Sequence, residues 1–534
     1  MRTSLRTFVA VAIFYAAAYT LSAQSPPEAQ HADLTIHTKA ATTPFPHFWE
    51  QTFGSGRAIL SLRQDYREDL RTVKKVTAFK SVRFHGIFMD DVGLYDPDRK
   101  PIKFAQMANT DADPSQTSDT GDYNFSYIDH IYDGLLANGV RPFVELSFMP
   151  KKMASDPNAL HAFWYKQNVS PPRNYELWDN MMTAFVQHLV DRYGIDEVAQ
   201  WDFEVWNEPN LDFWGGNPKQ STYFELYDHT ARDIKKVNSR LRVGGPSTAQ
   251  AAWVTAFLEH CKQNNIPVDF VSTHVYGNDT AKNVLGTEEQ IPRDRMVCSA
   301  VKMVHNEIAA SPYPKIPLIM SEYNASYANE PDVTDTVYMG PWLATTINQC
   351  AGLTESMSYW TFSDVFEEQG VVRSPFYGGF GLLAEDDIPK PALNAFALLH
   401  QLGDRRIQLD SDSAIATHRA DGSTAIVLWN YAAPYGEGMN YTAPPAAPGP
   451  SKTFTLKLEG ATTTAPVQIW RLDANHGNVI KTFDAMGRPA FPTRDQIAKL
   501  REAGKAAPPE KSSLKNGSLT ISVPPQGLVL ITTR

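Results

Sequence analysis

Residues 201–210 read Trp201-Asp202-Phe203-Glu204-Val205-Trp206-Asn207-Glu208-Pro209-Asn210. The first six are rich in aromatic and β-branched residues, the composition of a short strand. Pro209 has no backbone N–H for a ladder and stops that strand directly after Glu208. The same texture recurs along the chain, in eight runs: His47–Phe53, Ser81–Phe88, Val140–Leu146, Trp201–Trp206, Leu241–Gly245, Asp269–His274, Pro317–Ser321 and Met357–Thr361. Stretches of helical period lie between them. Leu177, Met181, Phe185 and Leu189 recur every four residues, and Gly194 follows. Ser126 with Asp129 three places on is a capping-box signal ahead of Ile128, Ile131, Tyr132 and Leu135, with Gly139 ending the helix. Trp253, Phe257 and the stop at Pro267 mark another.

Strands alternating with helices imply parallel βαβ units. Eight of them over roughly 320 residues predict an α/β fold, a (β/α)8 TIM barrel with long insertions. An open doubly wound sheet is the competing arrangement and wants a glycine-rich phosphate turn. Gly54-Ser55-Gly56 follows the first run but lacks the third glycine and the acidic ribose ligand of that motif.

After Gly403 the texture changes. Ala414–Thr417, Ala425–Trp429, Thr453–Leu458, Val467–Arg471, Leu519–Val523 and Leu528–Thr532 read as strands with no helices between most of them, which predicts an appended C-terminal β-sandwich. Arg494–Ala503, behind Pro492-Thr493, is one helical insertion, and Ala443–Pro450 is a Pro/Ala-rich loop. Asp33–His37 is an early strand expected to join the same sandwich. At the start, Arg2 and Arg6 precede an apolar run from Phe8 to Leu21, and Ala23 suits a cleavage site. The expected organisation is a signal peptide over 1–23, a linker and N-terminal strand over 24–45, the catalytic barrel over 46–403 and the sandwich over 404–534. A secreted or periplasmic protein follows from it.

There are 49 Lys+Arg against 59 Asp+Glu, a net charge of -10, which argues against a nucleic-acid partner. Cys261, Cys298 and Cys350 are far apart, with no CxxC or Cys/His cluster, so a zinc site has no support; one disulfide is possible and none is required. No cofactor or metal is implied, and no segment after the first is expected to cross a membrane.

Barrel enzymes carry their catalytic groups at the C-terminal ends of the strands. The fourth run ends at Glu208, and the seventh leads into Ser321-Glu322-Tyr323-Asn324. Two carboxyl groups across a barrel mouth are what glycoside hydrolysis needs: one protonated, to assist the leaving oxygen, and one ionised, to attack the anomeric carbon. Any one Glu is by default a solvated surface charge; two at strand ends with these neighbours are not. Glu208 is expected to be the acid/base with a raised pKa, and Glu322 the nucleophile.

Trp206-Asn207-Glu208-Pro209 resembles the acid/base motif of the large retaining clan of barrel glycosidases. Phe48-Trp49-Glu50 with Gly54-Ser55-Gly56, Arg83-Phe84-His85-Gly86 with Asp90-Asp91, Ser272-Thr273-His274-Val275-Tyr276-Gly277, Ser321-Glu322-Tyr323-Asn324, Tyr359-Trp360-Thr361-Phe362-Ser363-Asp364, and the tail with Ala485-Met486-Gly487 and Pro524-Pro525-Gln526-Gly527 resemble, within that clan, glycoside hydrolase family 39. That family holds β-xylosidases and α-L-iduronidases. The resemblance implies a retaining, exo-acting β-xylosidase on short xylo-oligosaccharides. It implies Asn207 on the sugar 2-hydroxyl, Tyr276 on the nucleophile, His85 and His274 in the pocket, Trp360 as an apolar platform and Glu368 accepting from sugar hydroxyls. Asp90-Asp91 would cap a loop or hold an Arg. An α-L-iduronidase would need a cation for the uronate, with Arg57 or Lys282 near the mouth; an α-L-arabinosidase fits the same two glutamates. An inactive carbohydrate-binding protein is the reading from another class, opposed by the retention of both glutamates.

Overall fold

The computed structural model describes residues 30–97, 123–434 and 449–533. The export segment, most of the linker behind it and most of the Pro/Ala-rich loop lie outside the described residues. Eight strands close into a barrel: β1 (Thr52–Arg57), β2 (Ser81–His85), β3 (Arg141–Leu146), β4 (Asp202–Val205), β5 (Arg242–Thr248), β6 (Phe270–Tyr276), β7 (Leu318–Asn324) and β8 (Ser356–Tyr359). Each is parallel to the next, and β8 pairs back onto β1. Strands covered on both faces read as continuous apolar runs, and every residue of β6 and β7 is buried. Their register sets His274 beside Glu322.

The helices follow their periodicity. Tyr175–Tyr193 buries Trp178, Met181, Met182, Phe185, Val186 and Leu189. Asn174 caps it, its side chain accepting from Glu176 N at 2.6 Å, and Gly194 leaves it at φ +81°, where a Cβ would be strained.

Two expectations are corrected. The first strand begins at Thr52, five residues later than its composition suggests. Phe48 N–H and Glu50 N–H turn back onto Pro46 and His47 carbonyls, so Phe48-Trp49-Glu50 forms a buried turn below the barrel. The Gly-Ser-Gly stretch therefore lies inside β1, where a Cβ at Gly54 would collide with the Trp360 ring. The helix Ser126–Leu136 forms, but without a capping box: its N-cap is Phe125, with no side-chain cap bond, and Asn124 Oδ1 accepts from Ser126 N instead.

The C-terminal strands build two sheets. In one, Gln30–His37 runs parallel to Lys452–Glu459, which pairs antiparallel with Ser518–Val523. The other has seven strands in the order Glu510–Ser513, Pro466–Leu472, Gly527–Thr533, Thr424–Asn430, Ala414–His418, Arg405–Ile407, Thr42–Pro44. The central strands of this sheet are apolar on both faces, for two different reasons. Ile426, Leu428, Val529 and Ile531 face Phe454, Leu456 and Ile521 in the sandwich core. Their alternates Val427, Trp429, Leu528 and Leu530 join the barrel core, where the sheet meets helices Met339–Cys350 and Pro391–Leu399. The sandwich thus buttresses the barrel through a shared sheet.

Of the possibilities left open for the cysteines, Cys298 and Cys350 form a disulfide joining the helix Arg293–Ala310 to Met339–Cys350, while Cys261 is buried and free. Among the described residues no helix is long and apolar enough to cross a membrane.

Candidate active site

The mouth of the barrel is built where β4 and β7 end. After Val205 the chain turns twice through the left-handed region, at Trp206 (φ +72°) and Glu208 (φ +44°). Such backbone costs about 1–3 kcal/mol per non-glycine residue and persists only where its surroundings impose it. Trp206 Nε1 donates to Phe213 O at 2.7 Å, Ser247 Oγ donates to Trp206 O at 3.0 Å, and Glu208 N donates to Ser247 O at 2.8 Å. The two turns carry Glu208 inward, with 12% of its side chain exposed. Glu322 needs no such device, because it points inward from β7 itself. Carboxyl oxygens of the two glutamates and His274 Nδ1 all lie within 4.8 Å of one another.

Their surroundings separate them. Glu322 Oε1 accepts from Arg83 Nη1 at 2.6 Å, and Oε2 accepts from the Tyr276 hydroxyl at 2.5 Å. A cation and a phenol therefore occupy both of its oxygens. Glu208 has neither: its Oε1 lies 2.9 Å from His274 Nδ1. Burial raises the Glu208 carboxyl to about 7, with His85 and Arg83 pulling the other way. Burial also lowers His274 to about 4 against the attraction of Glu322, so that ring is neutral at neutral pH. One carboxyl can thus hold a proton near neutrality while its neighbour is tied to a positive charge.

The structure brings the other expected residues to the same place. Asn207 Oδ1 accepts from Arg83 Nη2 at 2.9 Å. His85 Nδ1 lies 2.7 Å from Glu145 Oε2, and its Nε2 is 4.0 Å from Glu322 and 3.9 Å from Glu368. Burial works against charge on His85, but Glu145 outweighs it, and the pKa is raised. The register at Glu367-Glu368 resolves into opposite duties. Glu367 accepts from Arg57 Nη2 at 2.7 Å, whereas Glu368 turns into the site, where burial raises its carboxyl to about 8. Trp360 lies in the wall with Tyr276, Phe366 and Phe380, only 3% exposed, its ring 4.8 Å from that of His85. As a platform it offers little free surface.

Arg57 and Lys282 do not supply the cation considered for a uronate. Arg57 is paired with Asp91 and Glu367, and Lys282 is an exposed partner of Glu288. Asp91 therefore holds an arginine, one of the two roles expected for the Asp90-Asp91 pair.

Sequence reasoning missed the residue at the centre. Arg83 is wholly buried and reaches Glu204 at 2.6 Å, Glu145 at 2.8 Å, Glu322 at 2.6 Å and Asn207 at 2.9 Å. Burial opposes its charge, and the carboxylates of Glu145, Glu204 and Glu322 more than offset that. A signal was present: Arg83, Glu145 and Glu204 are charges set inside otherwise apolar strands, and buried charges persist only when paired. Two groups among the described residues bring His and carboxylate ligand atoms together, His47–Glu50–His400 and Glu208–His274–Glu322. In the first, Glu50 already accepts from both imidazoles, and the second is the carboxylate pair itself.

Residues 32–519 match the model of a family described as glycosyl hydrolases family 39. The chain is 37% identical to a β-xylosidase of Geobacillus stearothermophilus, over 90% of each chain. It is similar in structure to a monomeric β-xylosidase of Caulobacter crescentus CB15, with a TM-score of 0.82, 32% identity, and 94% of this chain and 99% of that one covered. A shorter likeness, 26% identity over 185 residues, links 32% of this chain to 26% of the human α-L-iduronidase.

Proposed function

The chain belongs to glycosyl hydrolases family 39, and from that premise we propose that it is a retaining β-xylosidase releasing terminal xylose from short xylo-oligosaccharides. It hydrolyses O-glycosyl bonds. The observation that carries the mechanism is the unequal environment of the two glutamates. Their oxygens approach within 4.8 Å, which suits the close spacing of about 5–5.5 Å in retaining enzymes better than the wider gap an inverting enzyme needs for water.

Glu322 attacks the anomeric carbon, its lone pair aimed by Arg83 and Tyr276. Glu208 gives its proton to the departing glycosidic oxygen, and a glycosyl ester forms on Glu322. Glu208, now an anion, takes a proton from water, which attacks the same carbon and frees Glu322, with net retention. Asn207, held by Arg83 beside the nucleophile, is set to meet the 2-hydroxyl, where a hydrogen bond strengthens as the oxocarbenium ion develops. His85, His274, Trp360 and Glu368 surround the ring.

An iduronide finds less support, since Arg57 and Arg83 are both committed to carboxylates. We also infer export from Arg2, Arg6 and the run Phe8–Leu21, a reading that suits a disulfide-bonded chain. Sugar release from aryl β-xyloside, α-arabinoside, β-glucoside and α-iduronide tests the function, with Glu208→Gln and Glu322→Gln as controls. Preference for the β-xyloside, lost in both variants, is expected. Binding of xylo-oligosaccharides without turnover of any glycoside would move the assignment to a binding protein.

A further inference from the structure

The loop after β3 does not stay above its own strand. At one end the His161 ring stacks on Phe213, in the loop that follows Glu208, at 4.0 Å. Three residues on, Trp164 N–H donates to the Glu368 carbonyl at 2.8 Å, and its ring lies over Gly370, where an added Cβ would come within 3.3 Å. Residues 161–165 therefore form a strap from the acid/base loop to the Glu368 loop, across the half of the mouth that holds His85 and Glu145.

Tyr165 ends the strap. The Arg57 guanidinium lies over its ring at 4.9 Å, and Arg57 is itself fixed by Asp91 and Glu367. The ring is thus clamped from the β1 side. Its hydroxyl is treated differently: the oxygen is buried and meets no hydrogen-bond partner among the described residues. The neighbouring Trp164 N–H is bonded to the Glu368 carbonyl and Arg57 lies over the ring, so Tyr165 stands beside the site, within the field of Glu368, Glu145 and Glu322. A buried hydroxyl left unpaired is destabilising, and a phenylalanine would pack the same space without that cost. Tyr132 and Tyr323 also carry buried hydroxyls without a partner, but they lie in the barrel core, whereas Tyr165 stands beside the site, where a ligand hydroxyl can partner it.

We propose that Tyr165 is a substrate-binding residue whose hydroxyl hydrogen-bonds an outer hydroxyl of the terminal sugar. The inference rests on the glycosidase reading above. The outer positions follow by exclusion, because carbon 1 is committed to Glu322 and Glu208 and the 2-hydroxyl to Asn207. That leaves the 3- and 4-hydroxyls, at the end of the ring that Glu368 and the strap enclose.

The test is Tyr165→Phe, assayed on an aryl β-xyloside and on its 3-deoxy and 4-deoxy analogues. Loss of one neutral hydrogen bond lowers kcat/KM on the parent by about 3- to 10-fold. On the analogue that lacks the partner hydroxyl, the variant and the wild type agree within about 2-fold, by the logic of a double-mutant cycle. The thermal midpoint is unchanged or higher, because no protein partner is lost. Equal losses on all three substrates, no loss on the parent, or a lower midpoint would overturn the assignment. A wild type that ignores β-xylosides defeats the functional reading instead, and the same cycle on the glycoside it does cleave then decides Tyr165. A wild type inert toward every glycoside removes both.

Discussion

Tyr276→Phe deletes one oxygen and leaves the ring in place. That oxygen donates to Glu322 Oε2 at 2.5 Å, and burial holds the phenol well above its ordinary pKa, so it stays a donor across the working range of pH. The other carboxylate oxygen keeps Arg83 at 2.6 Å. The variant therefore strips half of the support of Glu322 without unpairing its charge. A hydrogen bond to a charged group contributes about 1.5–3 kcal/mol, which corresponds to a fall of about 12- to 160-fold if the bond is fully used in the attacking geometry. The loss belongs in the glycosylation step. It should appear in kcat/KM on an aryl β-xyloside, and pre-steady-state release of the aryl group should slow in proportion. Full collapse to the level of Glu322→Gln is not expected, since Arg83 still aims the remaining oxygen. A loss smaller than about 3-fold would refute the reasoning, because a bond of this kind contributes far more when it orients a reacting group.

Other expectations follow from the same contacts. Glu208 in the folded protein sits at about 7, above its ordinary 4.5, so the native state binds more protons than the unfolded chain between those values and stability falls as pH rises through that window. Glu208→Gln removes that penalty, about 3 kcal/mol at its fullest, so its advantage in thermal midpoint should grow from pH 4.5 to 7.5; a constant difference would contradict the raised carboxyl. For the wild type, kcat/KM should decline once pH passes about 7, as the acid loses its proton. The Cys298–Cys350 disulfide closes a span of 52 residues. Replacing both by Ala should lower stability by about 4 kcal/mol in denaturant unfolding, provided the loss is chiefly chain entropy. Gly54→Ala should displace the Trp360 ring and cut kcat/KM, and because Trp360 packs in one wall with Tyr276 its effect should couple to that of Tyr276→Phe instead of simply adding, which a double-variant comparison would check.

Much of this site is legible in the chain, for physical reasons that differ by residue. Glu208 and Glu322 announce themselves because a strand pattern ends at each, and barrel geometry turns strand ends into one mouth. His274 and Tyr276 are two apart on one strand, so period two alone sends both the same way. The helix Arg494–Ala503 appears where expected because Thr493 and Gln496 satisfy each other's backbone N–H groups. What stayed hidden depends on distant partners. Arg83 is 121 residues from Glu204 and 239 from Glu322, and nothing local says which charges it meets. The first strand begins later than composition suggests because Phe48 and Trp49, strand-like in type, are buried by a turn beneath the barrel. The Ser126 capping box failed because Asn124 reached the same N–H first. The strap was invisible because its anchors, Phe213 and Glu368, lie on loops far along the chain.

In the proposed mechanism Glu322 becomes covalently glycosylated. The most direct measurement is mass analysis of the protein after brief exposure to an aryl 2-deoxy-2-fluoro-β-xyloside, whose fluorine slows breakdown of the ester by destabilising the oxocarbenium-like transition state. One added fluoro-xylosyl mass per chain is expected, located by peptide mapping on the segment that carries Glu322 and absent in Glu322→Gln. A label on a different carboxylate, or turnover of the parent aryl β-xyloside with inverted anomeric configuration, would contradict it.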